Sequence, residues 1–160
     1  IMICQDVFIT SHAVENVELL EDADVKNFVG EYEPEDYLLN PECPMAVGPY
    51  SITDYYMEAK RNQAEGTRNV SRVVKEVAED FEKLSGRKYG LFEEYRMEDA
   101  ERAVVIIGSA AGTTKDAVDR LREQGEKVGL IKIRLFRPFP ADEIAEALKN
   151  VKAIAIMDRA

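Results

Sequence analysis

Cysteine and histidine are scarce. Cys4, Cys43 and His12 are the only ones in 160 residues, and no C-x-x-C occurs. An iron–sulfur cluster draws on a full set of thiolates, so the chain by itself does not supply one. A zinc site would need both cysteines, the histidine and a carboxylate to converge. So low a cysteine density also excludes a secreted disulfide scaffold. Basic residues are short as well: 21 Lys and Arg stand against 31 Asp and Glu, a net charge of −10 with a pI near 4.7. Nucleic acid is thereby excluded as the main partner, because phosphate binding needs a dense basic surface. No run of about 18 apolar residues offers a membrane span. The pattern of a secretory leader is not seen. Nine glycines and six prolines exclude a collagen-like or disordered chain, and 46% hydrophobic with 32% charged residues is a globular composition. The simplest setting for such an acidic chain is the cytoplasm.

Ile1-Met2-Ile3-Cys4 opens the sequence inside an apolar run, and Asp158-Arg159-Ala160 follows another, Ala153–Met157. Such ends read as those of a piece of a longer polypeptide. Residues 1–10 are expected to form a short buried strand, followed by a polar turn at Thr10-Ser11-His12. Residues 13–50 are acidic, weakly patterned and carry Pro34, Pro41, Pro44 and Pro49. They read as a wrapping connector with one short helix near Asp24–Val29, of a length usual for functional or interface segments. From Thr53 to Leu84 the pattern is helical. Gly66 is expected to separate a first helix (Asp54–Glu65) from a second, whose stripe is Val70, Val73, Val74, Val77, Phe81 and Leu84. Gly86 suits its left-handed C-terminal cap.

Residues 103–160 alternate as βαβαβ. Ala103–Ile107 is a strand and Gly108–Gly112 a turn. Thr113 or Thr114 is expected to cap a helix through Gln124, with Ala117, Val118 and Leu121 inward and Gly125 closing it. Val128–Phe136 is the next strand, Pro138 and Pro140 start a helix over Ala141–Leu148, and Ala153–Met157 is the third strand. Unbroken apolar strands of this kind belong to an α/β parallel sheet covered on both faces.

The candidate sites are few. Gly108-Ser-Ala-Ala-Gly112-Thr113-Thr114 joins a strand to a helix, where backbone N–H groups bind phosphate. It lacks the spacing of a P-loop and the dinucleotide fingerprint, so the expectation is a structural turn in which Gly108 and Gly112 serve close backbone approach. Asp6, Ser11 and His12 do not have the makings of a triad by spacing alone, and His12 is read as a hydrogen-bonded structural residue. Arg137-Pro138-Phe139-Pro140 makes a sharp strand-to-helix turn; Arg137 could bind a carboxylate or phosphate, and the expectation is that it pairs with an acidic residue across a domain surface. Glu93-Glu94, Glu98-Asp99 and Glu101 read as a solvated face. No catalytic, cofactor-binding or metal-ligating residue emerges.

Several segments together carry a resemblance. Gly86-Arg-Lys-Tyr-Gly-Leu-Phe92, Asp99-Ala-Glu-Arg102, Gly108-Ser109, Leu130-Ile-Lys-Ile-Arg-Leu-Phe-Arg-Pro-Phe139 and Asp158-Arg159 resemble the alpha subunit of the pyruvate:ferredoxin (2-oxoacid:ferredoxin) oxidoreductase family. Asp6-Val-Phe-Ile-Thr-Ser-His12 is similar to the family's Asp-Gly-Phe-x-x-Ser/Thr-His, with Val7 where glycine is usual. The resemblance implies that residues 1–95 are the tail of a thiamine-type pyrimidine-binding domain with linker helices. Residues 99–160 are then the first half of a transketolase C-terminal-like domain. It further implies a parent that oxidatively decarboxylates pyruvate on thiamine diphosphate with magnesium, passes electrons through iron–sulfur clusters to ferredoxin, and forms acetyl-CoA from coenzyme A. The implied partners are a thiamine-binding beta subunit and an iron–sulfur subunit. The family's cofactor-activating glutamate and cluster ligands match no position here, so the segment is expected to be scaffold and interface, inactive alone, with His12 and Arg137 near interfaces. Two other readings stay open: a non-catalytic α/β assembly module, and a phosphate- or nucleotide-binding protein using Gly108–Thr114.

Overall fold

A computed structural model describes residues 1–14, 16–48 and 50–158, with the backbone only of Thr10. Pro49 of the connector, and Arg159 and Ala160 after the third expected strand, lie outside it. The chain divides into two compact units, Ile1–Val17 with Asn69–Ala160, and Glu18–Arg68.

The first unit is built on a four-stranded sheet. Its strands are β1 (Phe92–Tyr95), β2 (Arg102–Ile107), β3 (Val128–Ile133) and β4 (Ala153–Met157), in spatial order β1-β3-β2-β4. β2 runs parallel to β3 (Val104 opposite Leu130) and to β4 (Val104 opposite Ala155). β1 is antiparallel to β3, with Phe92 opposite Ile133. Helix α5 (Ala110–Glu123) connects β2 to β3, and α6 (Ala141–Leu148) connects β3 to β4. Alternation along the strands divides the core in two. Ile106, Val128 and Leu130 pack with Ala111 and Val118 of α5 on one face. Val105 and Ile131 pack with Ile144 of α6 on the other. This is the expected α/β layering, and Leu130 and Ile131, fully buried, mark its centre.

The sequence reading departs from the structure in several places. Residues 1–6 form no strand, and Val7–Thr10 is a single helical turn, α1, whose Val7, Phe8 and Ile9 are exposed. Asp6 decides this by accepting from Phe8 N (3.1 Å) as an N-cap. β1, whose glutamates suggest a solvated acidic face, is a strand of the sheet. β3 stops at Ile133, because the N–H groups of Arg134 and Leu135 both turn to Leu91 O. Within α5, Ala111 and Val118 point inward, whereas Ala117 and Leu121 are exposed. β4 has its expected bounds, but all five residues are exposed, since no helix lies over them among the described residues.

Helix α4 (Val70–Ser85) begins after Asn69 and ends at Gly86 in the left-handed conformation, as its sequence predicts. Ala78 is its one buried residue, and the expected stripe member Val77 is half exposed. The second unit holds α2 (Asp22–Val29) and α3 (Tyr56–Arg68), neither of which buries a residue. Gly66 lies inside α3 rather than ending it. Glu65 pairs with both Arg61 and Arg68, and Thr67 Oγ1 donates to Gln63 O, so the last turn is held across the glycine.

Candidate functional site

β2 and β4 end side by side, and the connections run to opposite sides of β2. β2 leads through α5 to β3 on one side, and β3 leads back through α6 to β4 on the other. Such a switch point is where doubly wound sheets take their ligands. Here it is the Gly108–Ser109 turn that forms the β2 side. Gly108 has φ +82°, and a Cβ built on it would come 2.8 Å from Asp6 Oδ2. Ser109 N donates to that same oxygen at 2.8 Å. A carboxylate therefore stands where a phosphate would bind. With this acceptor in place, α5 starts at Ala110. Thr113 and Thr114 are inside the helix and cap nothing; Thr114 Oγ1 bonds back to Ala110 O at 2.9 Å. Gly112 has open space around it, so close approach is needed at Gly108 alone.

His12 follows α1 and is exposed. Its Nδ1 lies 2.7 Å from Ser11 Oγ, while that hydroxyl donates to Val7 O. The hydroxyl thereby ties the His12 ring to the end of α1. Arg137 is exposed between Phe136 and Phe139, both also exposed, and among the described residues forms no ion pair. The structure does not bring His12 and Arg137 together through any shared contact.

The strongest electrostatic cluster is one that sequence reasoning missed. Glu93, largely shielded, bonds Lys115 of α5 and Arg134 after β3 (2.6 Å). Burial is the largest single influence and pushes Glu93 up, but the Lys115 hydrogen bond and the charges of Lys115, Arg134 and Lys132 outweigh it. The carboxyl is held below its ordinary value of 4.5. The guanidinium of Arg134 and the ammonium of Lys115 also lie over the rings of Tyr89 and Tyr95. Beside this cluster, Tyr95 Oη donates to Asp119 (2.6 Å), which also pairs with Arg96. Both bonds hold Asp119 below its usual range, the tyrosine bond most strongly. Arg122 clamps the β1–β2 connection, donating to Asp99, Arg96 O and Val128 O at 2.6–2.7 Å. Lys115, Arg134, Arg96 and Arg122 are each matched by protein acceptors, so the cluster is built to hold β1 and α5 on the sheet. The only signal for it in the sequence is alternation of charge across distant elements, which no local window reveals.

Among the described residues no group of three or more His, Cys, Asp or Glu stands ready for a metal ion, and Cys4 and Cys43 are free thiols. These side chains do not fit an iron–sulfur cluster. No described helix is long and apolar enough to cross a membrane.

Two family models cover most of the chain. Residues 1–79 match "Pyruvate flavodoxin/ferredoxin oxidoreductase, thiamine diP-bdg", and residues 100–160 match "Pyruvate:ferredoxin oxidoreductase core domain II". The chain is 49% identical over 160 residues to pyruvate synthase subunit PorA of Thermotoga maritima, covering 100% of this chain and 41% of the relative. It is 40% identical over 158 residues to the same subunit of Methanothermobacter thermautotrophicus, covering 99% and 41%. It is 39% identical over 165 residues to the alpha subunit of an NADH-dependent phenylglyoxylate dehydrogenase of Aromatoleum evansii, covering 98% and 40%. The chain thus spans about two fifths of the length of these relatives. With both models met in order and the likeness running from end to end, the chain belongs to the pyruvate:ferredoxin oxidoreductase family, as a segment of its alpha subunit.

Proposed function

We propose that this chain serves in a complex that oxidatively decarboxylates pyruvate to acetyl-CoA and hands the electrons to ferredoxin. The observation that carries this reading is the end-to-end likeness to pyruvate synthase alpha subunits. Thiamine diphosphate, with magnesium, supplies the carbanion chemistry of the parent complex, iron–sulfur clusters carry its electrons, and coenzyme A accepts the acyl group. In this reading no residue of the chain is assigned to holding these groups, and no chemical step is routed through one. We read residues 1–95 as the tail of the pyrimidine-binding domain with its linker helices and 99–160 as the start of a transketolase C-terminal-like domain. The gap between the family matches, residues 80–99, supports a boundary there, while β1 already pairs with the sheet of the second part.

The role of the segment is scaffold and interface. The segment 18–68 carries twelve acidic residues against four basic ones, a net −8 of the chain's −10. Its helices bury nothing, and Tyr32 and Tyr50 are each 90% exposed. Acidic charge interleaved with exposed aromatics suits docking on a basic, partly apolar subunit, and we assign the thiamine-binding beta subunit and the iron–sulfur subunit as partners. Phe136, Arg137 and Phe139 form a second such surface, aromatic and arginine together. Exposed free thiols at Cys4 and Cys43 agree with a reducing, cytoplasmic setting.

Reconstitution of the full-length subunit with both partners tests the reading. Pyruvate- and coenzyme A-dependent ferredoxin reduction is the expected result, with none from the 160-residue chain alone. A complex that reduces ferredoxin with no 2-oxo acid overturns it. In that complex Arg137→Ala is expected to weaken assembly while leaving KM for pyruvate unchanged in what still assembles. Intact assembly with an abolished chemical step would mean that the arginine acts in catalysis.

A further inference from the structure

We propose that Asp6 is an internal ligand of the sheet's ligand-binding end, a latch that fastens the α1 turn to the start of α5. Its carboxylate divides its oxygens between two helices. Oδ1 accepts from Phe8 N of α1 at 3.1 Å, and Oδ2 accepts from Ser109 N at the head of α5 at 2.8 Å. The residues joined are 103 apart in sequence. The position is favourable for a negative charge, since α5 is a 14-residue helix whose first N–H groups and dipole face that end. It is also shaped for this occupant. Gly108 has left-handed φ +82°, and any side chain there would intrude on Oδ2 at 2.8 Å. Ser109 Oγ is buried and forms no hydrogen bond among the described residues, so a donor is left over at the same end if the carboxylate is withdrawn.

The consequence is mechanical. Ser11 and His12 ride on α1, and Ser11 orients the imidazole through the contacts given above. A carboxylate that caps α1 and is held by α5 therefore fixes where the His12 ring is presented relative to the sheet. It also keeps the switch point closed to outside anions. This explains why the strand–turn–helix at Gly108 has the form of a phosphate site without its spacing: its ligand is built into the chain. The inference stands independently of which reaction the parent complex performs.

Hydrogen–deuterium exchange on the full-length subunit in its complex tests it, reading the peptides that span residues 6–12 and 106–112. Asp6→Ala is expected to speed exchange about tenfold in both, the effect of losing one well-placed hydrogen bond at each. Asp6→Asn keeps the shape but replaces one acceptor oxygen with an amide donor, and is expected to deprotect one of the two peptides only. Adding acetate to Asp6→Ala should restore protection of 106–112 and leave the unsubstituted protein unaffected. Gly108→Ala should deprotect both peptides, and combining it with Asp6→Ala should add nothing, since both remove the same contact. Unchanged exchange at 106–112 in Asp6→Ala refutes the latch. So does increased protection there when inorganic phosphate is added to the unsubstituted protein, because the turn would then be open to an external ligand. If Asp6→Ala does not assemble, Asp6→Asn and Gly108→Ala supply the same two-peptide comparison.

Discussion

Adding one methyl group to Gly129 and one to Gly112 is expected to move stability in opposite directions. Gly129 lies within β3, opposite Ala103. A Cβ there would meet Met97 Sδ at 2.5 Å, Arg96 O at 2.9 Å and Ala100 Cβ at 3.0 Å. The thioether can swing aside cheaply, but the carbonyl cannot. Arg96 already has φ +56°, and its oxygen accepts from Arg122 Nη2 at 2.6 Å, while Arg122 is also tied to Asp99 and Val128 O. Ala100 is buried as well. Relief of the clash would therefore have to displace the whole clamp. Overpacking of this kind costs about 2–3 kcal/mol, against about 0.5 kcal/mol returned by the stiffer unfolded chain. For a chain of this length Gly129→Ala should lower Tm by about 3–10 °C. Gly112, inside α5, has nothing within 4 Å of its would-be Cβ. Gly112→Ala should stabilise by about 0.5–1 kcal/mol through helix propensity, raising Tm by about 1–4 °C. Thermal unfolding followed by circular dichroism compares the two directly. Shifts of the same sign, or a Gly129→Ala Tm within about 1 °C of the parent, would refute the close-approach argument.

The other expected outcomes follow from the same contacts. Glu93→Gln should cost about 1 kcal/mol near neutral pH, a modest figure because Lys115 and Arg134 remain partly solvated. Because the folded value of Glu93 is lowered, its contribution is complete above about pH 4.5 and is lost as pH falls through that lowered value. Urea midpoints of the two proteins should therefore converge on acidification, and a gap that stays constant until the protein is acid-unfolded would exclude the ion cluster as its source. Thr113→Ala should change stability by less than about 0.5 kcal/mol, since an exposed helix-interior threonine is no cap; a loss of about 1 kcal/mol would restore the capping role that the sequence suggests. Gly66→Ala should raise the helix content of α3, which circular dichroism of the chain would register.

What the sequence makes legible is what a short window determines. Helix α6 spans Ala141–Leu148 as read, because Pro138 and Pro140 punctuate its start and an apolar face follows. The ends of α4 and α5 fall at Gly86 and Gly125 for a local reason too, since both glycines take positive φ. Gly66 shows the limit of the same rule. A glycine ends a helix only when the backbone needs the left-handed region, and Glu65 with its two arginines removes that need.

The misread elements are those decided by a partner far along the chain. β1 looks like a solvated acidic stretch because its acceptable burial depends on Lys115 and Arg134, 22 and 41 residues away from Glu93. Without those cations, a glutamate so shielded would cost more than its strand pairing returns. The head of α5 differs from its sequence expectation for a related reason: the Ser109 N–H is met by Asp6 rather than by the threonines beside it. One aspartate thus accounts for two separate departures, the helical α1 and the early start of α5. The candidate sites follow the same division. The Gly108 turn was legible as a place where an anion belongs, because strand–glycine–helix is a local pattern with a local physical meaning. The identity of the anion was not, because it is a side chain of this very chain, supplied from across 103 residues of sequence. A local pattern can therefore indicate that charge is wanted at a position, but whether a ligand or the chain itself provides it depends on the tertiary fold.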